Sequence, residues 1–127
     1  MAQFGMHNSS SETLKWNKRK LPDDPALASN KRGTLSFASA GPNTRANQIF
    51  INFVDNTYLD NEGFAPFARV LSGMNIVDKI YSGYGEGGRG DGRDGKGPSQ
   101  WRISQQGNQY LNEFFPRLSY IDYAVLV

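Results

Sequence analysis

The sequence contains no cysteine and a single histidine, and both scarcities remove whole classes of chemistry. Without cysteine there can be no disulfide, no thiolate nucleophile and no sulfur-bound metal. One histidine excludes metal sites built from several histidines and weakens an interpretation as a Ser–His–Asp hydrolase. We therefore expect no metal and no other cofactor.

Long apolar runs and charge of one sign are also missing. No apolar run approaches the roughly 18–20 residues of a membrane-spanning helix, so we expect no membrane partner. The 14 basic and 12 acidic side chains nearly cancel, and the basic ones form no patch, so we expect no nucleic-acid partner. The first residues lack the pattern of a signal peptide, which favours a cytoplasmic location, with a signal peptide upstream of Met1 as the open alternative.

Length and apolar content suit one folded domain. A chain of 127 residues buries roughly two thirds of the surface that it exposes when unfolded. Apolar side chains make up 38%, and the 14 glycines bring the total to the globular norm of about 45–50%. We expect a single domain over residues 1–127.

Several short segments have the composition of strands. They are rich in β-branched or aromatic residues and are bounded by glycine, proline or asparagine. Together with a few helices they predict a mostly β fold, a closed or half-closed barrel with helical caps. The predicted strands are 34–38, 48–53 and 67–71, with a strand end in 1–6 and a closing strand over 120–127.

Helical spacing and glycine stops predict the remaining elements. The apolar residues from Met74 to Tyr81 fall at helical spacing, which predicts a core-packed helix that ends at Gly83. A helical turn is expected over 108–114, before Pro116. Residues 83–98 hold most of the glycines and are interpreted as a flexible loop.

Residues 7–32 are polar and irregular. Pro22 and Pro25 forbid a continuous helix, and the serine and aspartate residues favour turns. We interpret this stretch as a long surface loop that serves either as a lid or as a connection. Three apolar residues are expected to hold it to the body: Leu14, Trp16 and Leu21.

Some short motifs match functional patterns, but the elements or spacing that those functions require are missing. GYGEGG at 83–88 follows a helix instead of a strand and lacks a GK[ST] ending, which excludes a phosphate loop. Asp91 and Asp94 lack the spacing of a calcium loop, and the Arg-Gly-Asp tripeptide at 89–91 is short enough to arise by chance. Asp23-Asp24 lies between prolines and is interpreted as a solvated turn.

The most informative stretch is GTLSFASAGPNTRANQIFINF at residues 33–53. It is followed by YLD at 58–60, GFAPFARVLSGMNIVDKI at 63–80 and GYGEG at 83–87. This ordered pattern resembles the cyclophilin family of prolyl isomerases, and LNEFFPRLSYID at 111–122 resembles its bacterial branch. The resemblance implies a cyclophilin-like antiparallel β-barrel capped by helices. It also implies a peptidyl-prolyl cis-trans isomerase that binds proline-containing peptides or unfolded proteins and aids protein folding.

The resemblance also implies a site. In the family this region lines a groove that grips a peptide on both sides of a proline, and Gln3 matches a glutamine of the catalytic strand. Ser39, Tyr58 and Phe64 stand where the family usually has asparagine, tryptophan and histidine, and Tyr58 makes cyclosporin sensitivity doubtful. The implied substrate contacts are Met1, Ala38, Ser39, Ala40, Gln48, Phe50, Tyr58, Leu59 and Phe64.

Elementary chemistry agrees with this assignment. Amide resonance sets a barrier of about 18–20 kcal/mol for rotation about the prolyl bond, and crossing it needs no nucleophile. An enzyme has only to hold the ring in an apolar socket, hold the flanking backbone and stabilise the twisted bond. Met1, Phe50, Leu59 and Phe64 can supply that socket, Gln3 and Gln48 hydrogen bonds, and Ser39 a backbone anchor. Taken singly, Phe50 and Leu59 would be ordinary core residues.

Met1 corresponds to a methionine inside the family's active-site strand, and the family's catalytic arginine precedes that strand. We therefore expect a domain that is incomplete at its N-terminus. No internal arginine obviously replaces the missing one, since Arg45 follows the turn and Arg69 lies on a strand of unknown facing. Two alternatives stay open: a non-catalytic module that binds proline peptides, and an interaction subunit completed by another chain.

Overall fold

The structure is a computed structural model that describes residues 1–88 and 97–127. These residues form two compact units, Met1–Lys79 and Ile80–Val127. The interpretations of Asp91, Asp94 and the tripeptide at 89–91 fall outside the described residues, as does most of the predicted glycine-rich loop.

The first unit contains a four-stranded antiparallel sheet with the strand order β1-β3-β2-β4. Each strand falls within or beside a segment predicted as one, and the predicted combination of an antiparallel sheet with helices is confirmed. Among the described residues the sheet is open, with β1 and β4 at its edges. The strands are β1 (Ala2–Phe4), β2 (Thr34–Phe37), β3 (Ile49–Ile51) and β4 (Pro66–Arg69).

The strand register decides which side chains share a face. Directly opposite residues of an antiparallel pair lie on the same face, and successive residues alternate between faces. Gln3 of β1 and Ser36 of β2 both lie opposite Phe50 of β3, so these three residues share one face. Phe37 lies on the other face, where its ring centroid is 4.8 Å from that of Phe67.

Helices lie in both units. The helical turn predicted over 108–114 is confirmed, whereas the helix that precedes it was not predicted. No helix within 1–88 or 97–127 is long and apolar enough to cross a membrane. The helices are α1 (Ser10–Asn17), the 3₁₀ helix Thr57–Glu62, α2 (Met74–Val77), α3 (Gln100–Gln106) and α4 (Asn108–Phe114).

The stretch 7–32 is wrongly predicted as a loop throughout, because α1 lies inside it. The two prolines follow this helix and so do not interrupt it. Within the helix Glu12 and Lys15 form an i,i+3 ion pair at 3.2 Å. The residue that holds the helix down is Thr13, which is 1% exposed and exchanges hydrogen bonds with the backbone of His7. The expected anchors are instead exposed: Leu14, Trp16 and Leu21.

The predicted core helix from Met74 to Tyr81 is also wrong in extent and in role. Only Met74–Val77 is α-helical, and none of these residues is buried. A short helix is marginal in water unless a packed face supports it, so the missing burial explains why the helix does not continue.

The predicted closing strand over 120–127 is not formed. Every residue of this segment is exposed, and it pairs with no strand in the described parts of the chain. A strand is stable only when its backbone groups and one face find partners, and the alternating pattern of the sequence does not show whether a partner exists.

The second unit is built around Tyr110 of α4, which is 1% exposed. Its ring contacts those of Phe114 and Phe115, with centroids 5.6 Å and 5.5 Å away. Its hydroxyl accepts a hydrogen bond from the N–H of Ser99, the N-cap of α3. The tyrosine therefore ties the start of α3 to the aromatic core of α4.

A buried asparagine, Asn30, organises the first unit. Its side-chain nitrogen donates to Asp60 Oδ1 and to the carbonyl of Phe64, both at 2.8 Å. Its side-chain oxygen accepts from Ser36 Oγ at 2.7 Å and from Asn52 Nδ2 at 3.3 Å. Asn30, Ser36 and Asn52 are all completely buried, so these bonds replace water inside the fold.

The backbone of Asn30 is used in the same way. Its N–H donates to Asp60 Oδ1 and its carbonyl accepts from Asn56 N–H, both at 2.8 Å. Asn56 in turn donates through Nδ2 to Asn52 Oδ1 at 2.8 Å. One residue thus joins β2, the segment after β3 and the 3₁₀ helix.

Replacing this hub is expected to destabilise the fold strongly. Asn30→Ala leaves buried partners such as Ser36 without their bonds, and each unsatisfied group costs about 1–3 kcal/mol. We expect a loss of about 3 kcal/mol in the free energy of unfolding, measured by urea denaturation. Asn8→Ala, at an exposed position before α1, is the matched control and should change stability by about 0.5 kcal/mol or less. Equal urea midpoints for the two variants would contradict the role of Asn30.

Candidate functional site

Four of the predicted site residues meet on one face of the sheet around Phe50, which is 2% exposed. Gln3 lies opposite it on β1, and Gln48 lies two residues before it on the same side. Gln3 Nε2 donates a hydrogen bond to Gln48 Oε1 at 2.9 Å. Ala38 N–H donates to the carbonyl of Gln48 at 3.0 Å, which extends the β2–β3 pairing by one step.

Phe64 and Leu59 complete an apolar corner beside this face. Leu59 is buried in the 3₁₀ helix, and its carbonyl accepts from Phe64 N–H at 3.2 Å. The chain turns back at Gly63, whose φ of 83° is a conformation that glycine adopts without strain. The Phe64 ring then meets Phe50 edge to face, with centroids 5.8 Å apart. Edge-to-face contact is a favoured arrangement for aromatic pairs.

The turn after β2 presents unused backbone at Ser39. Its side-chain oxygen is engaged locally, as the donor to Gly41 O at 2.6 Å. In the described parts of the chain neither the N–H nor the carbonyl of Ser39 has a hydrogen-bond partner. Exposed, unpaired backbone of this kind can pair with an extended peptide.

For three other residues that are predicted to contact the substrate, the structure gives less direct support. Met1 shares the face of Gln3 by alternation, but it is 47% exposed. Tyr58 lies on the 3₁₀ helix beside Leu59 and is 57% exposed. The N–H of Ala40 donates to Thr44 Oγ1 at 2.8 Å, so it is engaged within its own turn. Their roles as substrate contacts remain predictions.

A cleft of about 480 Å³ opens beside Ser39 and Phe64. We call it the side cleft. It is lined by Ser39, Gly41 and Pro42 of the turn after β2, by residues 61–64 and by Asp23.

The residues that fix the position of Phe64 were not identified from the sequence. Asn30 holds the carbonyl of Phe64, and Asp60 holds Asn30. Ser29 Oγ donates to Asp60 Oδ2 at 2.5 Å. A lone asparagine in a polar, proline-containing stretch gives no signal that it is buried, because composition there is typical of a loop.

The hydrogen bonds around Asp60 set its protonation. The Ser29 hydroxyl contributes most, followed by the backbone N–H and the side-chain amide of Asn30, and together they hold the pKa of Asp60 below its ordinary value. Each donor stabilises the charged carboxylate over its neutral form. This carboxylate of the 3₁₀ helix is therefore ionised at neutral pH.

Arg45 is engaged elsewhere, in contacts with Asp23 and Asp24. Both aspartates are exposed, as expected for a solvated stretch, and both also form ion pairs with the arginine. The arginine is 5% exposed, and its Nη1 lies 3.0 Å from Asp24 Oδ2 while its Nε lies 3.6 Å from Asp23 Oδ1. Nη2 donates to the carbonyl of Pro22. Arg69 is exposed at the end of β4, opposite Thr34. The guanidinium of Arg45 thus binds the stretch 22–24.

Comparison with known proteins gives a consistent picture. The family model described as Cyclophilin type peptidyl-prolyl cis-trans isomerase/CLD matches residues 1–107. A peptidyl-prolyl cis-trans isomerase of Acinetobacter baylyi is 43% identical over 56 residues, which is 40% of this chain and 30% of that protein.

Two relatives come from Rhizopus delemar. Peptidyl-prolyl cis-trans isomerase-like 1 is 40% identical over 57 residues, covering 45% of this chain and 34% of that protein. Peptidyl-prolyl cis-trans isomerase cyp15 is 47% identical over 49 residues, covering 39% of this chain and 8% of that protein. The matched regions span about a third or less of the length of these curated relatives.

The lowered pKa of Asp60 makes stability depend on acid pH. The folded pKa lies below the unfolded value of about 3.9, so the carboxylate stabilises the fold above that value. This contribution is lost as the pH falls through the folded pKa. We expect the difference in unfolding free energy between the unsubstituted chain and Asp60→Asn to be largest at neutral pH and to shrink below about pH 4.

Urea denaturation at a series of pH values measures this difference. Asp122→Asn removes an exposed carboxylate without a bonding partner in the described residues, so it should follow the pH curve of the unsubstituted chain. A difference for Asp60→Asn that stays constant or grows toward low pH would show that hydrogen bonds to the ionised form are not its source.

Proposed function

Because the chain belongs to the Cyclophilin type peptidyl-prolyl cis-trans isomerase family, we propose that it binds proline-containing segments and accelerates rotation about the Xaa–Pro bond. The observation that supports this most is the Gln3–Gln48 pair beside the Phe50–Phe64 corner. An apolar corner next to amide donors and acceptors suits a proline ring whose flanking amide must be twisted. The substrates would be proline-containing peptides and unfolded proteins.

The reaction makes modest chemical demands on the site. Rotation breaks amide resonance, with a barrier of about 18–20 kcal/mol, and uncatalysed exchange takes tens to hundreds of seconds. No covalent bond forms or breaks, so neither a nucleophile nor a proton transfer is required. The site has to bind the twisted amide more strongly than the planar one.

In the proposal the proline ring packs against Phe64, with the buried Phe50 and Leu59 behind it. Burying a ring of this size is worth about 1–2 kcal/mol by the area that it removes from water. Because aromatic side chains carry most of this wall, the socket is rigid and keeps its shape while the bond rotates.

The glutamines would act on the twisting amide. One Nε2–H of Gln3 is bound to Gln48, and its amide has a second N–H to donate. Loss of resonance leaves a lone pair on the prolyl nitrogen, which becomes a better acceptor in the twisted state than in the planar one. A donor aimed at that nitrogen therefore stabilises the transition state selectively. The backbone of Ser39 would hold the adjoining peptide during rotation.

The test is NMR exchange spectroscopy on an Xaa–Pro peptide mixed with the purified chain. We expect dispersed protein signals and faster cis–trans exchange in the peptide. Gln3→Ala should lower kcat/KM about tenfold, near the upper limit of one hydrogen bond, without changing protein dispersion. Gln106→Ala, at an exposed position on α3, is the matched control and should leave the rate unchanged.

Two outcomes would contradict the proposal. Shifted peptide signals without faster exchange would identify a peptide-binding module that does not catalyse. Faster exchange that Gln3→Ala leaves unchanged would keep the activity but remove Gln3 from its catalytic role.

A further inference from the structure

The side cleft adjoins the proposed proline site through two shared residues. Phe64 packs on Phe50 with one part of its ring and also lines the cleft. Ser39, the proposed backbone anchor, lines the cleft from the other side. A peptide whose proline packs on Phe64 and whose backbone pairs with Ser39 therefore places a neighbouring residue in the cleft.

The charged residues that line the side cleft, among those the structure describes, are both acidic. They are Asp23 and Glu62, and no lysine, arginine or histidine of residues 1–88 or 97–127 lines it. Its volume of about 480 Å³ leaves room for a long side chain. Lysine and arginine are the side chains that combine such length with positive charge.

The two carboxylates differ in the contacts that they already make within the chain. Asp23 Oδ2 accepts from Asn43 N–H at 2.8 Å, and Oδ1 lies 3.6 Å from Arg45 Nε. Glu62 is exposed and has no hydrogen bond or ion pair with any other residue in the described parts of the chain. Glu62 is therefore the carboxylate whose charge is most available to a ligand.

The segment that carries Asp23 is held in place by hydrogen bonds and an ion pair. Arg45 binds both Asp24 and the carbonyl of Pro22, and Leu21 N–H donates to the carbonyl of Arg45 at 2.8 Å. The cleft is thus formed by the fold itself, and a ligand does not have to order it first. Less conformational entropy is lost when a preformed site binds its ligand.

We propose that the side cleft selects substrates with lysine or arginine next to the proline, and that Glu62 is the specificity-determining residue. This inference rests on the proposed isomerase function, since it assigns the substrate class of the same site. An ion pair at a solvent-exposed position is weak, so the selection is a preference and not an absolute requirement.

The experiment compares peptides that differ at one residue. Lysine, glutamine or glutamate is placed directly before the proline in one series and directly after it in another. NMR exchange with the full chain gives kcat/KM for each peptide. In one of the two series we expect lysine to exceed glutamine about threefold and glutamate about tenfold at low ionic strength. At about 1 M salt, where the Debye length is about 3 Å, the three rates should converge.

Substitution of Glu62 provides the decisive variants. Glu62→Gln should bring the lysine-to-glutamate ratio to within about twofold, and Glu62→Lys should reverse it. Both changes are at an exposed position, so folding should be retained. Glu12→Gln is the matched control, because Glu12 is a partly exposed carboxylate on α1 that does not line the cleft, and it should leave the ratio unchanged.

The outcomes separate this inference from the function on which it rests. Turnover of the glutamine peptide without any charge preference in either series would overturn the inference and leave the isomerase intact. A preference that persists in Glu62→Lys would also overturn it. A glutamine peptide that is neither bound nor turned over would refute the proposed function, and the inference with it.

Discussion

The hydrogen bonds of Asn30 are the constraint on which the first unit depends. The sheet, the 3₁₀ helix and the return of the chain at Phe64 come from distant parts of the sequence, and this one buried side chain joins them. An amide can do this because it donates and accepts from a single flat group. An apolar residue of equal volume would fill the space without fixing the angle between the elements. The polar centre thus gives the unit a defined geometry.

That geometry divides the candidate site into a fixed part and an open part. Phe64 is fixed from below, since its carbonyl is bound by Asn30 and its N–H by Leu59. On the opposite side the backbone of Ser39 has no partner among the described residues, although its turn is braced by Thr44. A rigid apolar wall facing unpaired backbone is what an extended peptide with a ring can use. Satisfied groups build the wall, and in the proposed function the unsatisfied groups would receive the substrate.

The sequence predicted those features whose cause is local. Strands β2 and β3 follow from β-forming residues between glycine, proline and asparagine, and the ordered motif around Gln48 and Phe50 predicted the candidate site. Features that depend on a distant partner were missed or misplaced. The alternating segment over 120–127 has the pattern of a strand without a neighbour to pair with, and α2 has helical spacing without a surface to cover. Asn30 has no local signal, because its burial is decided by residues up to 34 positions away.

The nature of the reaction links catalysis to recognition. Because prolyl rotation changes no covalent bond, rate enhancement must come from contacts that strengthen as the amide twists. The proposed charge contact at Glu62 would lie beyond the rotating bond and would be nearly the same for the planar and twisted states. Such uniform binding raises the occupancy of the site by favoured sequences without lowering the barrier itself. In the proposed arrangement the glutamine pair and aromatic corner would act on the rotating bond, whereas the side cleft would determine which proline is brought to them.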